Sequence, residues 1–228
     1  MNECLLCFNS FSVNLNYYEL LLPQKNKTRR ICSNCLQKFE RLTKNICKNC
    51  CKSLEETKAF CEDCQYWSRI YKGKTLKNTS HYKYNQAFHD LMVQYKRYGD
   101  YELRFLFQDL LLDLPSADLY VPIPSSPGHL SRRGFETVES IYRQNIKLTC
   151  LLEKNDLEEA QGKKNRKERL NSKQTFKLRE NIKVKKLDVK RILLLDDIYT
   201  TGRTLYHARD ALVQDFPSVN IQSFTLAR

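Results

Sequence analysis

Apolar residues first settle into a helical rhythm in NQAFHDLMVQYKRYGD, where Phe88, Leu91, Met92 and Tyr95 fall at i, i+3, i+4 and i+7. The pattern predicts an amphipathic helix with Asn85 as its N-cap and Gly99 as its stop. His89 falls off the apolar stripe and reads as a surface residue. The run LRFLFQDLLLDL, 103–114, predicts a second, buried helix closed by Pro115. Beyond Asp118 the period changes. LYVPIP, IKLTCLL, KRILLLDD and VNIQSFTLA read as strands. Between them lie a loop leading into a helix, SSPGHLSRRGFETVESIYRQN, and the helix GRTLYHARDALVQDF, whose Leu205, Ala208, Ala211 and Leu212 share one face. Strands alternating with helices predict an α/β fold with a parallel sheet and ligands at the carboxyl ends of its strands. The loops at 122–134 and 196–204 each follow a strand, so both should emerge on the same edge.

The first third of the chain lacks this rhythm and carries cysteine instead. Of ten cysteines, eight form four Cys-x-x-Cys pairs: Cys4/Cys7, Cys32/Cys35, Cys47/Cys50 and Cys61/Cys64. Two thiolates at this spacing reach one tetrahedral metal from a tight turn, and a second pair completes the shell. Four pairs therefore predict two structural Zn²⁺ sites. A disulfide framework is disfavoured without a secretory leader, and a redox motif would occur once, beside a βαβ unit. Sequential pairing and a cross-braced arrangement both satisfy the spacing. Cys51, beside a ligand, reads as a spare, and Cys150, in an apolar run, as core. The expected organisation is a zinc-ribbon-like module over 1–67 and an α/β domain over 68–228. The module's role is either scaffolding or docking.

The chain has 228 residues and a formal net charge of +13. That balance points to a polyanionic or phosphorylated partner. No apolar run approaches the ~20 residues that span a bilayer, and MNEC opens no leader pattern, so the expected compartment is the cytosol. Gly73-Lys74-Thr75 imitates the tail of a P-loop, but Ser68 stands where the first glycine belongs and no apolar strand precedes it.

The chemistry concentrates in ILLLDDIYTTGRTL, 192–205. After an apolar strand, a small hydroxyl-and-glycine turn opens a helix. Free N–H groups and the helix dipole there favour a phosphate. Thr200, Thr201 and Thr204 add hydroxyls, and Gly202 lets backbone approach closely. Asp196 and Asp197, just upstream, would repel phosphate but accept hydrogen bonds from sugar hydroxyls. A ribose 5-phosphate fits this order of groups.

These residues resemble the phosphoribosyl-diphosphate (PRPP) signature of type I phosphoribosyltransferases. The four cysteine pairs, YKRYGD, VPIP with RRGF, and RKERLNSKQTF resemble, in the same order, the ComF family of bacterial competence proteins. The resemblance implies a phosphoribosyltransferase-like domain behind a zinc module. It places ribose on Asp196 and Asp197 and the 5-phosphate on Thr200, Thr201, Gly202, Arg203 and Thr204. It also places a pyrophosphate loop at 122–134, with Ser125, Ser126, Arg132 and Arg133. That loop departs from the family pattern: Gly128-His129 stand where a cation is usual, and RGFET replaces RGFNQ.

Residues 163–191 hold thirteen Lys or Arg against three acids. Lys163, Lys164, Arg166, Lys167 and Arg169 lie where phosphoribosyltransferases keep a mobile catalytic loop. They would close over diphosphate, contact DNA phosphates, or simply be solvated. Two functions follow from the resemblance. One is an accessory of natural transformation that helps single-stranded DNA enter the cytosol, beside the ComFA helicase-like ATPase. The other is an active phosphoribosyltransferase using Mg²⁺-PRPP and an unknown acceptor, with Mg²⁺ arriving on the diphosphate. No base-recognition hood is evident, which disfavours nucleobase salvage.

Overall fold

The computed structural model describes residues 2–13, 29–54, 58–154, 174–180 and 188–228. Its centre is a four-stranded parallel sheet. β7 (Arg191–Ile198) and β8 (Asn220–Ala227) are the long central strands, flanked by β3 (Asn78–Tyr82) and β4 (Leu119–Pro122), in the order β3-β8-β7-β4. β7 is apolar on both faces because helices cover both. Leu193 and Leu195 join one apolar cluster, while Ile192 and Leu194 join the other.

The predicted first helix is α3 (Gln86–Lys96), and Asn85 caps it by accepting from the Phe88 N–H at 3.2 Å. Phe88, Leu91, Met92 and Tyr95 are its buried face. The chain leaves through Gly99 at φ 72°, a left-handed conformation that favours glycine. The run expected as one helix over 103–114 divides. A 3₁₀ turn (Tyr101–Phe105) leads into the short α4 (Leu106–Leu110), and Leu111 is already extended. The region after β4 forms two short helices, α5 (Pro127–Arg133) and α6 (Thr137–Tyr142). The last helix, α7 (Arg203–Val213), buries the anticipated Leu205, Ala208, Ala211 and Leu212, and Tyr206 with them.

Two strand expectations are corrected. IKLTCLL does not enter the main sheet. Its end forms β5 (Leu152–Lys154), which pairs antiparallel with β6 (Phe176–Leu178) in a separate ribbon. One bond, Thr149 N–H to the Tyr120 carbonyl at 2.8 Å, ties it to β4. Cys150 is accordingly half-buried, not core. Conversely β3, with sequence NTSHY, showed no apolar alternation to announce it. It is held by a buried polar network instead. The Asn78 amide donates to Ser80 Oγ (2.8 Å) and Thr225 Oγ1 (3.2 Å), and Ser223 Oγ donates to Asn78 Oδ1 (2.9 Å). Full satisfaction is what makes such a network tolerable inside a sheet.

The N-terminal chain wraps the sheet. β1 (Asn2–Glu3) and β2 (Ser10–Phe11) form a hairpin around the first cysteine pair, followed by α1 (Ser33–Leu36) with the second. Cys4 and Cys35 belong to the apolar cluster on the α3 side. The Cys47–Cys64 group, continued by α2 (Glu62–Ile70), belongs to the cluster on the α7 side. The linking segment follows the β3 edge, where the Leu42 N–H donates to the His81 carbonyl and Lys83 pairs with Glu40 at 3.0 Å. Among the described residues no helix is long and apolar enough to cross a membrane.

Candidate functional site

β4 and β7 are adjacent and parallel, with Pro122 opposite Leu195. The loops that follow them therefore open on one edge, as the strand order predicted. Between them lies a cavity of about 760 Å³. Asp196 and Asp197 form one wall, with Thr204 beside them. Ser125, Ser126, Arg132 and Arg133 form another. The last turn of α3 and the residues after it add Lys96, Arg97, Tyr98 and Gly99, and the β5 end adds Lys154.

The acid pair is not equivalent. Asp197 is buried and ion-paired to Lys96 Nζ. Asp196 accepts the Asp197 N–H on Oδ1 at 2.9 Å, while its carbonyl takes the Tyr142 hydroxyl at 2.8 Å. Burial first, then the Asp197 charge, pushes the Asp196 carboxyl up to about 7, with Lys96 opposing. A cation or hydroxyl donors brought to this carboxyl would favour its ionised form, the proton leaving to solvent.

The loop after β4 is braced by Glu136 and Thr137, the two residues that follow Arg133-Gly134-Phe135. Glu136 Oε2 accepts the Ser125 N–H at 2.9 Å. Thr137 Oγ1 accepts from Arg133 Nη1, while Arg133 Nε donates to the Lys96 carbonyl at 2.9 Å. Ser126 Oγ and His129 Nδ1 lie 3.0 Å apart. Arg133 is thus held in place before any ligand arrives.

The 200–204 turn is divided. Thr204 lines the cavity and Thr200 is exposed, whereas Thr201 is buried. Gly202 sits at φ 83°, and a Cβ there would collide with the Tyr199 ring, so glycine is required. Arg203 turns away, its guanidinium 5.7 Å from the centre of the Trp67 ring. The turn's carbonyls are clamped from outside. Trp67 Nε1 donates to Thr201 O at 2.8 Å, and Arg228 donates to Thr200 O at 2.6 Å and Tyr199 O at 3.1 Å. Arg228 in turn pairs with Asp63 of α2 at 3.4 Å. The cysteine module thereby grips the loop.

The cysteines gather into two groups by sequential pairing, Cys4/Cys7/Cys32/Cys35 and Cys47/Cys50/Cys61/Cys64, with the sulfurs of each group within 4.8 Å of one another. Tetrahedral Zn–S bonds of about 2.3 Å imply sulfur separations near 3.8 Å. Cys7 and Cys32 stand 3.8 Å apart, and Cys50 and Cys61 3.5 Å. Backbone N–H groups of Cys32 and Cys61 point at the sulfurs of Cys4 and Cys47, both at 3.4 Å. The groups fit Zn²⁺, whose role there would be structural. Hydrogen bonds among the sulfurs pull Cys47 below the ordinary thiol value and push Cys64 well above it. Four such thiols share protons until a cation replaces them. Cys51 has a role of its own. It occupies the left-handed position after its knuckle (φ 62°), as Phe8 does after the first (φ 58°), and its Sγ donates to the Asn78 carbonyl at 3.3 Å.

Lys163, Lys164, Arg166, Lys167 and Arg169 lie outside the described residues. Lys96, Arg97, Tyr98 and Lys154 were not anticipated as cavity residues. The signal for the first three was the pair of cations and the glycine in KRYGD, which reads equally well as a helix end.

No protein-family model matches the chain. Among curated proteins, competence protein ComFC of Streptococcus pneumoniae is 35% identical over 230 residues, covering 99% of this chain and 100% of the relative. Competence protein ComFC of Bacillus subtilis is 31% identical over 238 residues, covering 99% and 94%. The chain belongs to the ComFC family. Both cysteine groups and the acid-walled cavity of this ComFC-family chain therefore lie within the length its relatives share.

Proposed function

We propose that this ComFC-family protein binds Mg²⁺-PRPP in the cavity and serves natural transformation by handling incoming single-stranded DNA. The observation that carries the ligand is the juxtaposition of Asp196 and Asp197 with Lys96, Arg97, Arg132, Arg133 and Lys154 around one space. An acid pair alone would suit a cation, and cations alone any anion. Both together suit a sugar whose hydroxyl edge meets carboxylates and whose phosphates meet guanidinium and ammonium groups. The 5-phosphate sits by Thr204 at the start of α7, and the diphosphate by Ser125, Ser126 and the arginines. The transformation role rests on the relatives, which are named competence proteins. Single-strand handling agrees with the chain's +13 charge.

Calorimetry with Mg²⁺-PRPP tests the ligand. The wild type should bind, and Asp196→Asn with Asp197→Asn should weaken binding at least about tenfold, since two charge-assisted contacts are each worth ~1.5–3 kcal/mol. Unchanged affinity in a folded double variant would remove the acid pair from the ribose.

A further inference from the structure

The cavity mouth carries an aromatic feature that phosphoribosyl binding leaves unused. Tyr98 is 79% exposed, the most open aromatic side chain among the described residues, yet it lines the cavity. It follows Lys96 and Arg97 directly and precedes Gly99, so the left-handed turn at φ 72° hangs the tyrosine off the end of α3 beside two cations. Arg97, exposed, adjoins it in the chain, Arg132, also exposed, lines the same cavity, and Asp100 is the acid next along the chain. The neighbourhood is aromatic too. Tyr101 packs on Phe135 with ring centres 4.8 Å apart, under the Arg104 guanidinium at 3.9 Å. Tyr84, 42% exposed, feels the charges of Lys96, Arg97 and Asp197. None of the ring–ring contacts among the described residues involves Tyr98, so its faces are open.

An open ring set among cations suits an unpaired base flanked by phosphates. Stacking is tolerant of sequence because every base has a π-face, and it changes affinity by about five- to a hundredfold per base. Phosphate contacts give the salt dependence. We infer that Tyr98 is a stacking ledge for a nucleobase of single-stranded nucleic acid at the cavity mouth, with the exposed Arg97 beside it on a flanking phosphate. This rests on reading the chain as a single-strand handler, and it names where the strand docks. It also places an aromatic surface in a segment remote in sequence from the basic run at 163–191, whose one aromatic residue is Phe176.

Fluorescence anisotropy with the full-length protein tests the ledge. The probes are an oligothymidylate of about fifteen nucleotides and an abasic strand of equal length, which keeps the phosphates and removes the bases. The wild type should bind the base-bearing strand at least about fivefold more tightly. Tyr98→Ala should abolish that preference without changing the salt slope, and Tyr98→Phe should keep it. Equal binding of both strands by the wild type, or a preference that survives Tyr98→Ala, overturns the inference. Calorimetry with Mg²⁺-PRPP on the same variants reports the cavity separately, and Tyr98→Ala should bind it like the wild type. A thymidylate preference lost in Tyr98→Ala alongside no PRPP binding by any form would sink the phosphoribosyl reading and leave the ledge standing.

Discussion

At the scale of single residues, Asp196 has the clearest measurable signature. Its carboxyl titrates at about 7 in the folded protein, against an ordinary value of 3.8 when exposed to water. Between those values the folded chain holds a proton that the unfolded chain has lost. Stability therefore falls as pH rises through that window, and the full penalty applies above it. Asp196→Asn keeps an acceptor for the Asp197 N–H and removes the charge. It should flatten the decline and stabilise the protein at pH 8 by on the order of 1–3 kcal/mol, read from urea unfolding at pH 5 and pH 8. A wild-type curve equally steep in the variant would mean that another group titrates. Gly202 is the other decisive residue, because only a side chain reduced to hydrogen fits against Tyr199 in a left-handed turn.

At the scale of elements, the informative contact is between α2 and the turn before α7. Trp67 is fully buried, stacks on Tyr206 at 4.4 Å and gives its indole N–H to Thr201 O. Trp67→Phe keeps most of the stacking and leaves that carbonyl without its donor. It should cost about 1–3 kcal/mol of stability and weaken Mg²⁺-PRPP binding, since the turn loses one of its outside restraints. Calorimetry and urea unfolding on the same variant separate the two effects. If stability falls and ligand affinity does not, the clamp is structural only. The cysteine-bearing segment in this reading is a part of the site's frame.

At the scale of the whole molecule, the two cysteine groups brace opposite faces of one sheet. Structural zinc contributes on the order of 10–16 kcal/mol in small modules. Metal analysis of the purified protein should return about two zinc per chain, one for each of the two four-sulfur groups. Cys7→Ser should lower the count to about one and spare the Cys47–Cys64 group, because the groups join different apolar clusters. A fall to zero would mean that they fold as one unit.

The alternation of strands and helices beyond Asp118, both loops on one edge, the helix cap at Asn85 and the gathering of eight cysteines into groups able to hold a metal were legible in the sequence alone. Periodicity, capping and ligand spacing are local, and local rules suffice to read them. β3 was not, because its strand is held by hydrogen bonds to Ser223 and Thr225, some 145 residues away. IKLTCLL kept its apolar run yet found no place in the main sheet, where β3, β8, β7 and β4 already pair. Sequential rather than crossed cysteine pairing, the grip of Trp67 and Arg228 on the turn, and the placing of Lys96, Arg97 and Tyr98 at the cavity were decided by the tertiary structure. Each depends on which distant segments share a face, and that information resides in packing, not in spacing.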